Sequence, residues 1–273
     1  MTNMPPNLHD DRTRHSCSSV VFAWLMGASV VAIAAMLPAL LFLFDPARPS
    51  LFADEPVAPV PFVISFAVAN IVVSGIAIAI GLRFEPKVGM RAPLLRSWLA
   101  SDQAASRPIL AMLRRGFVIG FGLAAMVLAC GLAFRSQLPG LPDNFVFPPV
   151  WQGILMMLGA AVREEILFRL FALNLFVWIV MKVLRKREST TVIVWTANVL
   201  ASFVFALMHL LPASQLLDLN TIATGVAIAL ATAASVLLGW VYWRHGLLMA
   251  MFTHAIGGML LYLGARGLMA WAA

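Results

Sequence analysis

The sequence has few charged residues for its length. Asp, Glu, Lys and Arg make up 11% of its 273 residues, whereas a soluble domain carries about 25% because its surface must face water. Apolar residues make up 62%, and the mean hydropathy is +0.91. These values exclude an ordinary soluble domain and predict a surface in contact with the lipid bilayer. In a membrane protein the net charge of +7 does not indicate a nucleic-acid partner, because the distribution of the basic residues matters more than their sum. We therefore predict no nucleic-acid partner.

Cysteine is equally scarce. The two cysteines, Cys17 and Cys130, cannot form a disulfide framework, and they are too far apart for a CxxC redox pair or structural metal site.

Long apolar runs take up most of the chain. Seven of them are long enough to cross a hydrocarbon core of about 30 Å as helices. They lie at about 19–44, 60–82, 116–134, 151–183, 190–211, 221–243 and 246–271. Because helices satisfy every backbone group within lipid, we predict an all-α, polytopic transmembrane bundle of about seven spans. The fourth run is longer than a span needs, so it is either tilted or preceded by an interfacial segment near 151–160.

Basic residues are distributed unequally between alternate loops. One set of loops carries 14 of them, namely Arg12, Arg14, Arg83, Lys87, Arg91, Arg96, Arg107, Arg114, Arg115, Lys182, Arg185, Lys186, Arg187 and Arg244. The other set carries 3, namely Arg48, Arg135 and Arg266. The positive-inside rule therefore predicts a multi-pass protein of the cell membrane with a cytoplasmic amino terminus.

Three regions follow from this reading. Residues 1–18 are polar and are predicted to be a disordered cytoplasmic tail. Residues 19–145 contain the N-terminal transmembrane helices and a basic cytoplasmic loop, in which 85–115 is either an interfacial helix or an ordinary loop. Residues 146–273 form the predicted catalytic core.

Ionisable residues inside the predicted spans all belong to the second half of the chain. They are Arg163, Glu164, Glu165, Arg169, His209 and His254. A charged side chain at a helix centre costs about 2.5–3.5 kcal/mol on insertion scales, so such residues mark functional sites by default. The alternative is an electroneutral cluster that only fixes how the helices dock.

The spacing of these residues suggests different roles. Glu165 and Arg169 are four apart and can pair on one helix face, whereas Glu164 projects about 100° away and is freer to face a substrate. In the next helix, Asn198, Ser202, Phe205 and His209 lie along one stripe. This polar stripe predicts a surface that faces the interior of the bundle.

The residue types limit the chemistry. A buried carboxylate can activate water, and a histidine, an arginine or a metal can stabilise the oxyanion that forms. Glu164, His209 and His254 are also a candidate zinc ligand set, with a metal-free site as the alternative. The sequence lacks H-E-x-x-H, an aspartate within any span and G-x-S-G, which argues against other intramembrane hydrolases.

Three motifs resemble those of the CPBP intramembrane proteases, the family of CAAX prenyl protease 2 and of bacterial Abi proteins. Residues 164–169 (EEILFR) resemble the EExxxR motif, 205–209 (FALMH) resemble FxxxH, and 238–254 resemble the third motif, which ends in histidine. Their order and spacing agree with the family over about 151–260.

The resemblance implies an intramembrane endopeptidase that cleaves near the membrane surface, with either a metal or a glutamate-activated water. Glu164 would activate water, His209 would assist, and His254 would stabilise the oxyanion or bind metal. Glu165, Arg169, Phe205 and Asn198 would support them. The substrate would be a peptide or membrane-protein tail, lipidated or not.

The sequence departs from the family at Gly258, where asparagine is common and is thought to help bind the oxyanion; Asn198 and Asn174 are candidate substitutes. Gly258 favours the alternative of a non-catalytic member that acts as an immunity factor or membrane-protein scaffold. A proton-coupled transporter that uses the two adjacent glutamates is a third hypothesis, although no internal repeat supports it.

Overall fold

The computed structural model describes residues 8–44, 59–90, 107–138, 146–216 and 219–272. Over these ranges the protein is a bundle of seven helices without a strand. In chain order they are α1 (Leu8–Leu43), α2 (Pro59–Val88), α3 (Arg107–Ala133), α4 (Val150–Val183), α5 (Thr191–Leu216), α6 (Thr221–His245) and α7 (Leu247–Ala272). The predicted all-α class is confirmed.

Each described helix contains a stretch long and apolar enough to cross a membrane, from 21 residues in α5 to 34 in α4. The chain is therefore a multi-pass membrane protein, as predicted. Its orientation in the membrane stays a prediction.

The helix ends differ from the predicted runs. The first helix begins at Leu8, inside the segment predicted to be disordered, and α3 begins at Arg107, nine residues before its apolar run. Once an apolar segment is helical, each polar residue added at its end gains a hydrogen bond without a new nucleus. Residues 1–7 and 91–106, which include much of the predicted tail and interfacial segment, lie outside the described residues. The division at residue 146 stays a prediction.

The fourth helix is continuous but not uniform. An α-helical segment, Val150–Glu165, is followed by a π-helical segment, Ile166–Leu173, and by a second α-helical segment, Asn174–Val183. At about 1.5 Å per residue the whole helix is about 51 Å long, which exceeds a hydrocarbon core of about 30 Å. Residues 151–160 belong to this same helix and do not form a separate segment.

The π-helical segment lies at the centre of the bundle. It contacts α2, α5, α6 and α7, and six of its eight residues are buried. Small residues allow the close approach: a Cβ at Gly81 of α2 would overlap the Leu170 backbone, and one at Gly120 of α3 would overlap the Thr253 carbonyl. Such small residues are typical of helix contacts in membranes.

Two connections position α7 against the other helices of the bundle. Gly246 alone joins α6 to α7 and adopts φ 87°, a conformation that costs a residue with a Cβ much more than glycine. At the start of α4, the Pro148 carbonyl accepts hydrogen bonds from Tyr262 Oη (2.6 Å) and Arg266 Nη1 (2.9 Å) of α7. These contacts fix the register of α7 beside α4, so His254 is held opposite the two glutamates.

Candidate active site

The two adjacent glutamates end the first α-helical segment of α4, immediately before the π-helical segment. Such π-helical turns occur frequently at functional sites. The side chains differ in burial, since Glu165 is 0% exposed and Glu164 is 12% exposed. The structure thus brings the predicted motif to the point where α4 meets α5, α6 and α7.

Glu165 contacts two other ionisable side chains. Its Oε2 atom lies 3.2 Å from Arg169 Nε, and its Oε1 atom lies 2.8 Å from His254 Nδ1. The Arg169 guanidinium also donates to the Ser235 carbonyl at 3.0 Å and lies 5.3 Å from the centre of the Phe205 ring. Glu165 and Arg169 therefore hold α4, α6 and α7 together.

His254 is oriented by this pair. An ionised carboxylate only accepts hydrogen bonds, so the Nδ1 atom of His254 carries the hydrogen that Glu165 accepts. In the neutral ring the Nε2 atom is then an acceptor, and it faces Glu164 Oε2 at 3.7 Å.

His209 is oriented in the same way by a different partner. Its Nδ1 atom lies 2.9 Å from the Phe205 carbonyl, one turn earlier in α5. A carbonyl can only accept, so Nδ1 carries the hydrogen and Nε2 is the acceptor in the neutral ring. That Nε2 atom lies 3.5 Å from Glu164 Oε2.

Phe205 packs between these groups. Its ring centre lies 4.9 Å from that of Phe168, 4.1 Å from the His209 ring and 6.3 Å from the His254 ring. The phenylalanine of the second motif thus packs against both imidazoles that approach Glu164.

Three acceptors converge as a result: Glu164 Oε2 and the Nε2 atoms of the neutral His209 and His254 rings. Their separations of 3.5 and 3.7 Å are longer than a good direct hydrogen bond. Acceptors brought together in a partly buried site need a donor, and a water molecule supplies two O–H groups. The arrangement is suited to binding and polarising a water molecule.

The same donors were predicted as zinc ligands. The donor types fit, because both imidazoles present Nε2 while Nδ1 is held by an oxygen, as in many metal sites. Among the described residues, no group of three or more His, Cys, Asp or Glu side chains is arranged to hold a metal ion. Zinc stays a prediction.

An apolar cavity of about 320 Å³ adjoins the two histidines. Small side chains of α6 and α7 leave this space, among them Ala231, Ala234 and Gly257. The cavity reaches α3 on its far side, where Leu123 and Val127 line it. An apolar part of a substrate would therefore find room beside the polar cluster.

Asn198, predicted as a supporting residue, contacts another part of the bundle. Its Nδ2 atom donates to the Val236 carbonyl at 2.9 Å, and the side chain occupies the space over Gly239 of α6. The other candidate substitute, Asn174, donates to the Leu170 carbonyl and to Tyr242 Oη. Both amides are thus bonded to helix partners away from Glu164, while Gly258 itself faces Met157.

Two polar residues of α2 were not recognised from the sequence as lying inside the bundle. Asn70 accepts a 2.6 Å hydrogen bond from Arg163 Nε, which brings α2 to the edge of the site. Glu85, counted as a loop residue, is 1% exposed within the same helix. Asn70 interrupts an apolar run, and that is the signal by which it could have been found.

A comparison with known families bears on the resemblance predicted from the three motifs. Residues 146–260 match the family described as type II CAAX prenyl endopeptidase, Rce1-like. This segment contains all three motifs, so the predicted resemblance is confirmed, and the match supports a membrane-embedded CAAX-type endopeptidase acting on a peptide. Neither a curated protein nor a solved structure matches the chain.

Proposed function

Residues 146–260 match the Rce1-like type II CAAX prenyl endopeptidase family, and from this premise we propose that the protein hydrolyses peptide bonds with a water activated by Glu164. The observation that carries the proposal is the convergence of Glu164 Oε2 with the Nε2 atoms of His209 and His254. A water donating to this set would have its oxygen free to attack a carbonyl carbon.

In the proposed reaction Glu164 acts first as a base. Its Oε2 atom takes a proton from water while the water oxygen bonds to the carbonyl carbon, and the carbonyl oxygen becomes an oxyanion. Glu164 then gives that proton to the leaving nitrogen as the carbon–nitrogen bond breaks. General acid–base catalysis of this kind contributes roughly 10²–10⁴-fold to a rate.

The histidines have different supporting roles. His209 Nε2 accepts the second hydrogen of the water and so fixes its direction. His254 Nε2 faces the same Glu164 oxygen at 3.7 Å, and the bond from its Nδ1–H to Glu165 keeps that nitrogen turned towards the water.

Cleavage of defined peptides tests the proposal. Purified wild type and Glu164→Gln are incubated with a pool of lipidated and unlipidated peptides, and products are identified by mass spectrometry. Glu188→Gln is the matched control, because it makes the same change at an exposed position. Cleavage by wild type and by the control, but not by Glu164→Gln, is the expected result. Metal content measured on the same samples tests the zinc prediction.

The non-catalytic alternative is favoured by the absence of a side chain at Gly258. Asn198 and Asn174 do not replace it, because they are hydrogen-bonded to Val236 and Tyr242. No cleavage of any peptide by a folded wild-type sample would support a scaffold or immunity role. Cleavage gained by Gly258→Asn would then locate the missing group.

A further inference from the structure

Arg163 is the charged residue nearest in sequence to Glu164 that the proposed reaction leaves without a role. It lies on α4 directly before the two glutamates, and its Nη1 atom is 3.8 Å from Glu164 Oε1. The histidines approach the other oxygen, Oε2. Glu164 is therefore flanked by a guanidinium on one oxygen and by two imidazoles on the other.

Arg163 is held in place from outside the matched family segment. Its Nε atom donates to Asn70 Oδ1 at 2.6 Å, and the Asn70 Nδ2 atom donates to the Phe66 carbonyl at 2.8 Å. The second bond fixes which end of the Asn70 amide faces the arginine. The Phe66 ring, 5.9 Å from the guanidinium, adds a contact on α2.

These contacts leave donors on Arg163 available. A guanidinium has five N–H groups; one is used by Asn70, and the 3.8 Å approach to Glu164 is an ion pair without a short hydrogen bond. The Arg163 side chain is 22% exposed, whereas Arg169 is 2% exposed, forms an ion pair with Glu165 and donates to the Ser235 carbonyl. Of these two arginines, Arg163 is the more exposed.

The proposed reaction moves a negative charge from Glu164 to the substrate, and Arg163 lies beside Glu164. When Glu164 takes a proton from water, the carboxylate becomes neutral and the negative charge appears on the substrate carbonyl oxygen. Arg163 lies beside Glu164 Oε1, and once the carboxylate is neutral its N–H groups are free to turn towards the new oxyanion. A permanent cation with free donors, placed where charge develops, stabilises a transition state more than a ground state.

From this geometry we infer that Arg163, positioned by Asn70, is a catalytic residue that donates to the oxyanion in the reaction proposed above. It would supply a hydrogen-bond donor that Gly258, which stands in place of the common asparagine, lacks. This inference rests on the proposed function, and it gives α2 a part in the site that the family segment does not contain.

Steady-state kinetics on a peptide cleaved by wild type test the inference. Arg163→Gln is expected to lower kcat by roughly 10²–10³-fold, the range for loss of one oxyanion donor, with little change in KM. Asn70→Ala, which removes only the anchor, should lower kcat by between roughly ten- and a hundredfold. Arg135→Lys, an exposed arginine of the α3–α4 connection, is the control and should leave both constants unchanged.

A chemical rescue separates catalysis from structural support. Methylguanidinium added to Arg163→Ala should restore part of the lost kcat, whereas methylammonium should restore less because it lacks the planar donors. Unfolding temperatures in detergent are measured for every variant.

Three results would overturn the inference. The first is that Arg163→Gln keeps both the kcat and the KM of wild type. The second is that Arg163→Gln raises KM while kcat stays unchanged. The third is that kcat falls only as folded protein is lost and is not rescued by methylguanidinium. If Arg163→Gln cleaves normally while Glu164→Gln does not, the inference fails and the proposed function stands. If wild type cleaves nothing, both fail.

Discussion

Two glutamate–arginine pairs lie side by side in α4, and they differ in how closed they are. Glu165 and Arg169 approach to 3.2 Å with exposures of 0% and 2%. Glu164 and Arg163 approach only to 3.8 Å, with exposures of 12% and 22%. We call the first the closed pair and the second the open pair.

The difference shows how one short motif serves both folding and chemistry. A buried ion pair is retained only when its groups are well bonded, because removing one partner leaves an uncompensated charge. In the closed pair, His254 bonds one Glu165 oxygen and the Ser235 carbonyl bonds one Arg169 nitrogen. The ion pair itself joins Glu165 Oε2 and Arg169 Nε, which have no hydrogen-bond partner among the described residues. The open pair keeps an oxygen and several N–H groups available, which a reactive site requires.

The largest expected effect comes from breaking the open pair at its carboxylate. Glu164→Gln should lower cleavage by roughly 10³-fold or more, because it removes the base, while the unfolding temperature stays near that of wild type. The measurement is peptide cleavage per folded molecule, with Glu188→Gln as control. Cleavage at the wild-type rate would show that another group activates the water.

Breaking the closed pair should affect folding first. Arg169→Leu leaves the Glu165 carboxylate buried without its cation, which costs about 3–5 kcal/mol of stability. Arg163→Leu should cost clearly less, because the open pair is partly exposed. Thermal unfolding in detergent compares the two, and equal losses would remove the distinction between the pairs.

Replacing the imidazole on the open side should affect activity more than stability. His209 is 44% exposed, so His209→Gln should change stability little but lower cleavage roughly 100-fold. His245→Gln is the control, since that histidine lies at the end of α6. A loss of activity matched by the control would point to a general effect of histidine replacement.

Glycine replacements give the smallest expected effects. A Cβ at Gly239 would overlap the Asn198 amide, so Gly239→Ala should destabilise the protein by about 1–3 kcal/mol. A Cβ at Gly258 would meet Met157 Sδ at 3.5 Å, an ordinary contact, so Gly258→Ala should leave stability within about 1 kcal/mol of wild type. A lower unfolding temperature for Gly258→Ala than for Gly239→Ala would contradict the packing described at these two glycines.

Much of the fold could be predicted because lipid imposes a simple rule. A long apolar run must be a helix, so seven runs predicted the seven described spans. The ends were harder, since polar residues such as those at Leu8–Ser18 extend a helix without an apolar signal. The π-helical segment Ile166–Leu173 was also not predicted, because its composition does not differ from that of an α-helix.

The candidate site was predicted in part for the same kind of reason. Charges are rare in an apolar sequence, so Glu164, Glu165 and the two histidines were conspicuous. Neutral amides were less so: Asn198 was assigned to the site although its partner is Val236, and Asn70 was missed although it binds Arg163. Which partner an amide finds depends on helix packing, and spacing along one helix does not determine it.

Cleavage and thermal unfolding measured together on Glu164→Gln and Glu165→Gln test the account most directly. We predict that Glu164→Gln unfolds near the wild-type temperature and cleaves no peptide, whereas Glu165→Gln unfolds at a lower temperature. Wild-type cleavage by Glu164→Gln, or the same loss of stability in both variants, would contradict the division between an open and a closed pair.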